Sequence, residues 1–164
     1  MKNLDFNPTK STDDFRKNYK LHDIAEFNGK NLLTQWGFTC HDFGEDNRYK
    51  KVWEKGEDKP DSIISYKDKS ALLDWKGKHS STWLVNERAF KSYQKWSKEF
   101  GLPVVIAFFV IGKNDEILSR NFAVVNIHTC SISARKQWDK NSTIQFQKDI
   151  PIFNKANLLN IVFK

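Results

Sequence analysis

The chain predicts an α/β fold with a mixed central β-sheet flanked by helices. Three stretches point there. Apolar residues recur at helical spacing up to Gly37, two short apolar segments around a polar turn read as a hairpin at 61–76, and residues 102–111 form a nearly unbroken apolar run. That run is far too short to span a membrane, so it reads as a buried strand. With 164 residues, 39% hydrophobic and 29% charged, the chain is long and apolar enough for one domain with a real core.

The elements follow in order. Residues 1–10 are polar and expected to be loosely held. Ser11-Thr12-Asp13-Asp14 offers an N-cap with acids in the first turn and predicts a short helix to about Lys20. A longer helix is predicted next, carrying Leu21, Ile24, Ala25, Leu32 and Trp36, with Gly37 as its C-terminal cap. Residues 38–43 suit a first strand, and the strongly charged 44–59 an exposed loop. Hairpin strands are expected at 61–66 and 71–76, joined by Lys67-Asp68-Lys69-Ser70, with 77–81 as a loop. Residues 84–100 read as a helix stopped by Gly101 and Pro103, and 104–111 as the most apolar strand. A turn at 112–115 leads to 116–127, and the last forty residues read as mixed strand and loop. No repeat or low-complexity tract divides the chain, so residues 1–164 are expected to be one domain, with a core at about 21–127 and an extension at 128–164.

A net charge of +7 and a pI near 9.3 favour a polyanionic partner, although a merely lysine-rich surface gives the same numbers. Cys40 and Cys130 form no CxxC pair, and His22, His41, His79 and His128 are not at zinc-ligand spacing. A disulfide framework and a structural zinc are therefore not expected, which suits a reducing cytoplasm. The N-terminal residues carry no signal-peptide apolar region, and no membrane association is expected.

The chemistry-bearing stretch is Pro60-Asp61, then twelve residues, then Asp74-Trp75-Lys76. On a strand, Asp74 and Lys76 leave one face and Trp75 the other. Two carboxylates beside a fixed cation suit Mg²⁺ or Mn²⁺ and a phosphodiester: a hard ion takes carboxylate oxygens, and the lysine can hold a water or phosphate oxygen. Simpler readings exist for each residue. Pro-Asp often makes a turn, and Asp74 could pair with Lys76 or Lys78 on an exposed strand, although an acid straight after Leu72-Leu73 sits oddly in a buried one.

This pattern resembles the signature of the PD-(D/E)XK nuclease superfamily, in which the second hairpin strand is followed by a helix and then a very apolar strand. It is most similar to the archaeal-type Holliday junction resolvases, whose first helix carries a glutamate and ends in Gly-Phe. Here Ile24-Ala25-Glu26 opens a helix ending at Gly37-Phe38 with matching spacing, and Trp83-Leu84 through Lys98-Glu99-Phe100-Gly101 matches the helix after the catalytic strand. The resemblance covers about residues 21–111. It implies a restriction-endonuclease-like core and a metal site of Asp61, Asp74, Glu26 and the Trp75 carbonyl, with Lys76 positioning the attacking water. Residues 42–60 are longer and more charged than in the compact resolvases, no match for their serine is apparent, and the Asp-x-Lys acid is Asp rather than Glu.

Candidate DNA contacts are Arg48, Lys50, Lys51 and Lys55 in the charged loop, Lys78 and His79 after the catalytic strand, and Arg88, Lys91 and Lys95 on the following helix. Arg135, Lys136 and Lys140 form a further cluster, and Trp53 could stack on a base, the other tryptophans being expected in the core. Solvated surface charge is the plain alternative for each basic residue. The resulting expectation is a Mg²⁺- or Mn²⁺-dependent DNA endonuclease, with branched DNA as a candidate substrate and a homodimer as the family's usual form. A non-catalytic nucleic-acid-binding module of the same fold is the alternative, and a protein-interaction role ranks third.

Overall fold

Residues 12–43, 58–138 and 141–164 are described by the computed structural model, with side chains for 19–43, 58–132 and 142–164. Helix α1 (Thr12–Gln35) is followed by strands β1 (Thr39–Asp42), β2 (Ser62–Tyr66), β3 (Lys69–Lys78) and β4 (Leu84–Asn86). Helix α2 (Glu87–Phe100), strands β5 (Val104–Ile111), β6 (Ile117–Val124), β7 (Cys130–Trp138) and β8 (Asn141–Phe146), and helix α3 (Lys155–Ile161) complete the order. A five-stranded sheet has the order β1-β2-β3-β5-β6, and a three-stranded sheet the order β4-β8-β7. Among the described strands only β3 and β5 pair in parallel, across the α2 connection. The expected mixed sheet flanked by helices is therefore present, with the hairpin, helix and apolar strand in the implied sequence.

The two faces of the large sheet bury different partners. Ala71, Leu73 and Trp75 of β3 and Val105, Ala107, Phe109 and Ile111 of β5 pack with Leu21, Ala25 and Leu33 of α1 and with Phe153 and Leu158. Leu72 and the even-numbered residues of β5 pack with Ala89, Phe90 and Tyr93 of α2 and with Ile144 and Phe146 of the small sheet. Both central strands lie under a layer on each face, which is why β5 is buried along its whole length.

Helix α1 is one continuous element, not the two helices expected with a break near Lys20. Neither Gly nor Pro interrupts 12–28, and residues 21, 25, 29 and 33 recur every fourth position as a buried stripe on β3. Two glycines allow that approach. A methyl on Gly29 would enter the Trp75 ring, and one on Gly77 would meet the Leu21 carbonyl. The helix closes as expected: Gly37 has φ 92°, and the Phe38 N–H reaches the Leu33 carbonyl at 2.9 Å.

Other boundaries moved for local reasons. Residues 84–86 form β4 rather than a first helical turn, because Val85 and Leu84 pair with β8. The Asn86 side chain then caps α2 by accepting the Arg88 N–H at 3.2 Å. Gly77 and Lys78 extend β3 because β5 continues to pair with them. The turn tightens to Lys67-Asp68, since Tyr66 pairs with Lys69. Helix α3, absent from the sequence reading, starts at the Asn154 cap and sends Leu158 into the core. Cys40 and Cys130 are free thiols, in line with the expected lack of a disulfide. Among the described residues no helix is long and apolar enough to cross a membrane.

Gly29→Ala sets a gain in helix propensity of about 1 kcal/mol against overpacking of a fully buried tryptophan, worth about 1–3 kcal/mol or more. The expected outcome is net destabilisation, read as a lower urea midpoint. A midpoint equal to or above wild type would show that α1 is not seated on Trp75 this closely.

Candidate active site

The hairpin register brings the two predicted carboxylates together. Ser62 pairs with Leu73, so the next position outward places Asp61 opposite Asp74. β2 has not yet begun there, while β3 continues along β5 to Lys78. The Trp75 N–H, facing the side β2 has left, donates instead to Asp61 Oδ2 at 2.9 Å. A side chain thus replaces the missing ladder partner and holds Asp61 in place.

Asp74 and Lys76 emerge on the α2 face and Trp75 on the α1 face, as the strand alternation predicts. Asp74 is only 3% exposed, and its Oδ2 is buried with no aligned hydrogen-bond donor. Lys76 Nζ stands 3.1 Å from that oxygen as an ion pair, with about a third of its side chain (35%) reaching solvent. A buried carboxylate oxygen compensated only by an ion pair is costly, and such costs concentrate at functional sites.

From α1, His22 Nε2 lies 3.0 Å from Asp61 Oδ2. Its Nδ1 is 3.4 Å from Asp23 Oδ1 and 3.8 Å from Glu26 Oε1, one helical turn on. Glu26 joins the group through His22 and also holds Lys30 at 2.7 Å, which in turn reaches Asp42 at 3.2 Å. His22 is absent from the sequence-based site. The signal available was its four-residue spacing from Glu26, which on a helix stacks the two side chains.

The two aspartates titrate in opposite directions. Burial raises Asp74 to about 7, with the neighbouring Asp61 charge adding to the rise and Lys76 opposing it. Burial also acts to raise Asp61, but the hydrogen bond and charge of His22 outweigh it and hold Asp61 below the usual carboxylate range. For His22, burial acts downward, and the Asp61 hydrogen bond and charge, with Asp74 beyond, lift it to about 9. Burial acts downward on Lys76 too, yet Asp74 and Asp61 raise it and keep it a cation. Tyr93 on α2 is pushed up by burial and then by Asp74, so it carries a protonated phenol against this site.

These residues suit a hard divalent cation. Asp61 and Asp74 face each other across the strand ends, one with a buried oxygen met only by the Lys76 ion pair, and Glu26 lies beside His22. The Trp75 carbonyl belongs to the same strand residue whose N–H fixes Asp61.

The expected DNA contacts divide. Arg88 donates Nε to Asp58 Oδ2 at 3.2 Å and Nη2 to Asp58 Oδ1 at 3.5 Å, so its guanidinium is engaged inside the protein. Asp58, 8% exposed, is held further by Ser92 Oγ on its N–H (3.2 Å) and by Trp96 Nε1 on its carbonyl (2.9 Å). Residues 88, 92 and 96 recur every fourth position on α2, so one helix face clamps the chain three residues before Asp61. Asp58 was outside the sequence-based site, and nothing in its local sequence marks it. Lys91 is exposed and pairs with Glu87 at 3.3 Å, while Lys78 Nζ lies 5.4 Å from the Phe108 ring centre. Arg48, Lys50, Lys51, Lys55 and Trp53, and the side chains of Arg135, Lys136 and Lys140, lie outside the described residues.

The chain is similar in structure to an archaeal Holliday junction resolvase. That protein is Hjc of the hyperthermophile Archaeoglobus fulgidus, at 13% identity and a TM-score of 0.47, over 74% of this chain and 85% of the resolvase. No protein-family model matches the sequence, and no curated protein matches it.

The pH dependence of stability follows from His22. A folded value near 9, above the unfolded value near 6.5, gives stability that is full below about pH 6.5 and lost as pH rises through 9. Asp74, also raised, acts in the same direction between about pH 4 and 7. In chelator, the melting temperature is expected to fall between pH 6.5 and 9, and His22→Gln to flatten that fall. An unchanged slope in the variant would place its origin elsewhere.

Proposed function

We propose that this chain is a divalent-metal-dependent nuclease that hydrolyses phosphodiester bonds in DNA. The observation that carries the reading is Asp61 set opposite Asp74, with a buried Asp74 Oδ2 whose one close polar partner among the described residues is the Lys76 ammonium, 3.1 Å away as an ion pair. Asp61, Asp74 and the Trp75 carbonyl would hold the ion, with Glu26 completing the set. A bound Mg²⁺ or Mn²⁺ supplies Lewis-acid stabilisation of phosphoryl oxygens and a more acidic water.

The chain's own groups do the rest. The Trp75 N–H and His22 keep Asp61 ionised and fixed. Tyr93 stands against Asp74 as a protonated phenol. Lys76 is paired with Asp74 and has about a third of its side chain open (35%), so its charge can hold an attacking water or meet negative charge developing on the scissile phosphate. The net charge of +7 favours DNA approach, with Lys78, two residues beyond Lys76 on β3, and the exposed Lys91 on α2 as candidate backbone contacts. The sequence likeness around Glu26 and Gly37-Phe38 makes branched DNA the first substrate to test and a homodimer the expected working form.

The test is a panel of labelled four-way, flap, duplex and single-stranded substrates with Mg²⁺ or Mn²⁺. Cleavage is expected to vanish in chelator, and Asp74→Asn and Lys76→Ala each to lower it on the order of a hundredfold or more while the fold persists. If every substrate stays intact but binds in chelator with salt-sensitive affinity, the chain is a non-catalytic nucleic-acid-binding module instead.

A further inference from the structure

The excess positive charge is not spread evenly over the molecule. Around the strand ends and the helices beside them, cations are already engaged: Lys76 pairs with Asp74, Arg88 with Asp58, Lys91 with Glu87, and Lys30 with Glu26 and Asp42. The hairpin-turn end of the large sheet is different. On its α1 face, the layer built from the C-terminal half of α1, β6 and α3 is free of carboxylates, since residues 27–38, 117–128 and 150–164 contain no Asp or Glu. Asp68, in the turn, is the single acid between Ser62 and Leu73.

Cations on this face rest on aromatic rings instead. Lys67, at the hairpin turn, and Lys155, at the start of α3, each place Nζ 5.6 Å from the centre of the Tyr66 ring. Arg120 of β6 has its guanidinium carbon 5.9 Å from the Trp36 ring. The two rings belong to one patch: Trp36 packs on Phe153 at 5.6 Å, Tyr66 packs on Phe38 at 4.9 Å, and residues 36 and 38 flank Gly37. A ring attracts a cation without neutralising it. Among the described residues, Lys67, Arg120 and Lys155 have no carboxylate at ion-pair distance, so their charges are left for an external anion. The patch stands apart from the catalytic carboxylates. Five residues of strand separate Tyr66 from Asp61, about 17 Å at 3.4 Å per residue, and Asp74 and Lys76 emerge on the α2 face.

We propose that this carboxylate-free face, centred on Tyr66 and Trp36, is a second DNA contact surface that grips the phosphate backbone through Lys67, Arg120 and Lys155. The choice of DNA as the polyanion rests on the nuclease reading, whereas the surface itself follows from the distribution of charge. Both rings are already covered by cations, so contact here is to phosphate and not to bases. Binding at this face is therefore independent of sequence and steeply dependent on salt. It adds affinity for a duplex arm without touching the scissile phosphate.

The test measures binding in chelator, apart from cleavage. A labelled duplex is titrated with the full chain across a range of NaCl concentrations, followed by fluorescence anisotropy. The triple variant Lys67→Gln, Arg120→Gln, Lys155→Gln is compared with a control of equal charge, Lys98→Gln, Lys113→Gln, Lys148→Gln, at exposed positions on α2, in the β5–β6 turn and after β8. The patch variant is expected to bind about tenfold or more weakly, with a slope of log affinity against log salt shallower by about 2–3, and the control to change that slope by less than about 1. Lysine acetylation of wild type needs no variant: duplex is expected to protect Lys67 and Lys155 severalfold and to leave Lys98 unprotected. Equal slopes in the two variants, or no protection of Lys67 and Lys155, overturns the proposal. Protection by polyglutamate but not by duplex also overturns it and assigns the face to an acidic protein. The two readings fail separately: DNA cleavage by a protein whose patch variant binds like the control removes the second surface alone, whereas a patch-dependent slope in a protein that cuts no DNA removes the nuclease reading alone.

Discussion

The Asp61 carboxylate stands where the central sheet would otherwise be open. β2 begins only at Ser62 while β3 runs on beside β5, so the Trp75 N–H would lack a partner in a buried strand. Asp61 Oδ2 supplies it at 2.9 Å and takes His22 from α1 at 3.0 Å on the same atom. One oxygen thus joins strand, hairpin and helix. Losing it would leave a buried amide unpaired and a charged imidazole without its counter-ion, each costing on the order of 1–3 kcal/mol. The Gly29–Trp75 and Gly77–Leu21 approaches bring α1 close enough for that contact.

From the same contact follows a division of labour between two chemically identical side chains. Asp61 has a backbone donor and an imidazole, so its charge is satisfied and its pKa falls. Asp74, one strand away, receives neither and faces an apolar layer, so burial and the Asp61 charge raise it to about 7. Like charges in one buried place cannot both be cheap. The environment thus holds one carboxylate ionised and raises the other toward its protonated form, with Lys76 as partial compensation.

Much of this was legible because it depends on local periodicity. Alternation alone placed Asp74 and Lys76 on one face, and an acid after two leucines in a buried strand marked itself as unusual. The helix ends at Gly37 and Gly101 were readable because a left-handed cap leaves a glycine behind. What was hidden depends on tertiary partners. Leu84-Val85 looks helical until β8 lies beside it, and α3 is only 7 residues long, too short to show a period. His22 looked like one scattered histidine because its meaning lies 39 residues away at Asp61. Arg88 carried a charge readable in sequence, but its buried partner Asp58 was not.

The stripe of residues 88, 92 and 96 has a further consequence. Trp96 touches both ends of the chain between β1 and β2: its ring meets Phe43 at 5.3 Å between centres, and its indole N–H holds the Asp58 carbonyl. Phe43 is tied again by its N–H to the Asp61 carbonyl at 2.9 Å. Residues 43 and 58 therefore leave and re-enter the fold at a single tryptophan. Closing a longer loop between fixed ends costs only about 0.6 kcal/mol per doubling of its length. A change in the length of chain between these two fixed ends would therefore cost the fold little, and Asp61 and Asp74 would keep their register across the hairpin.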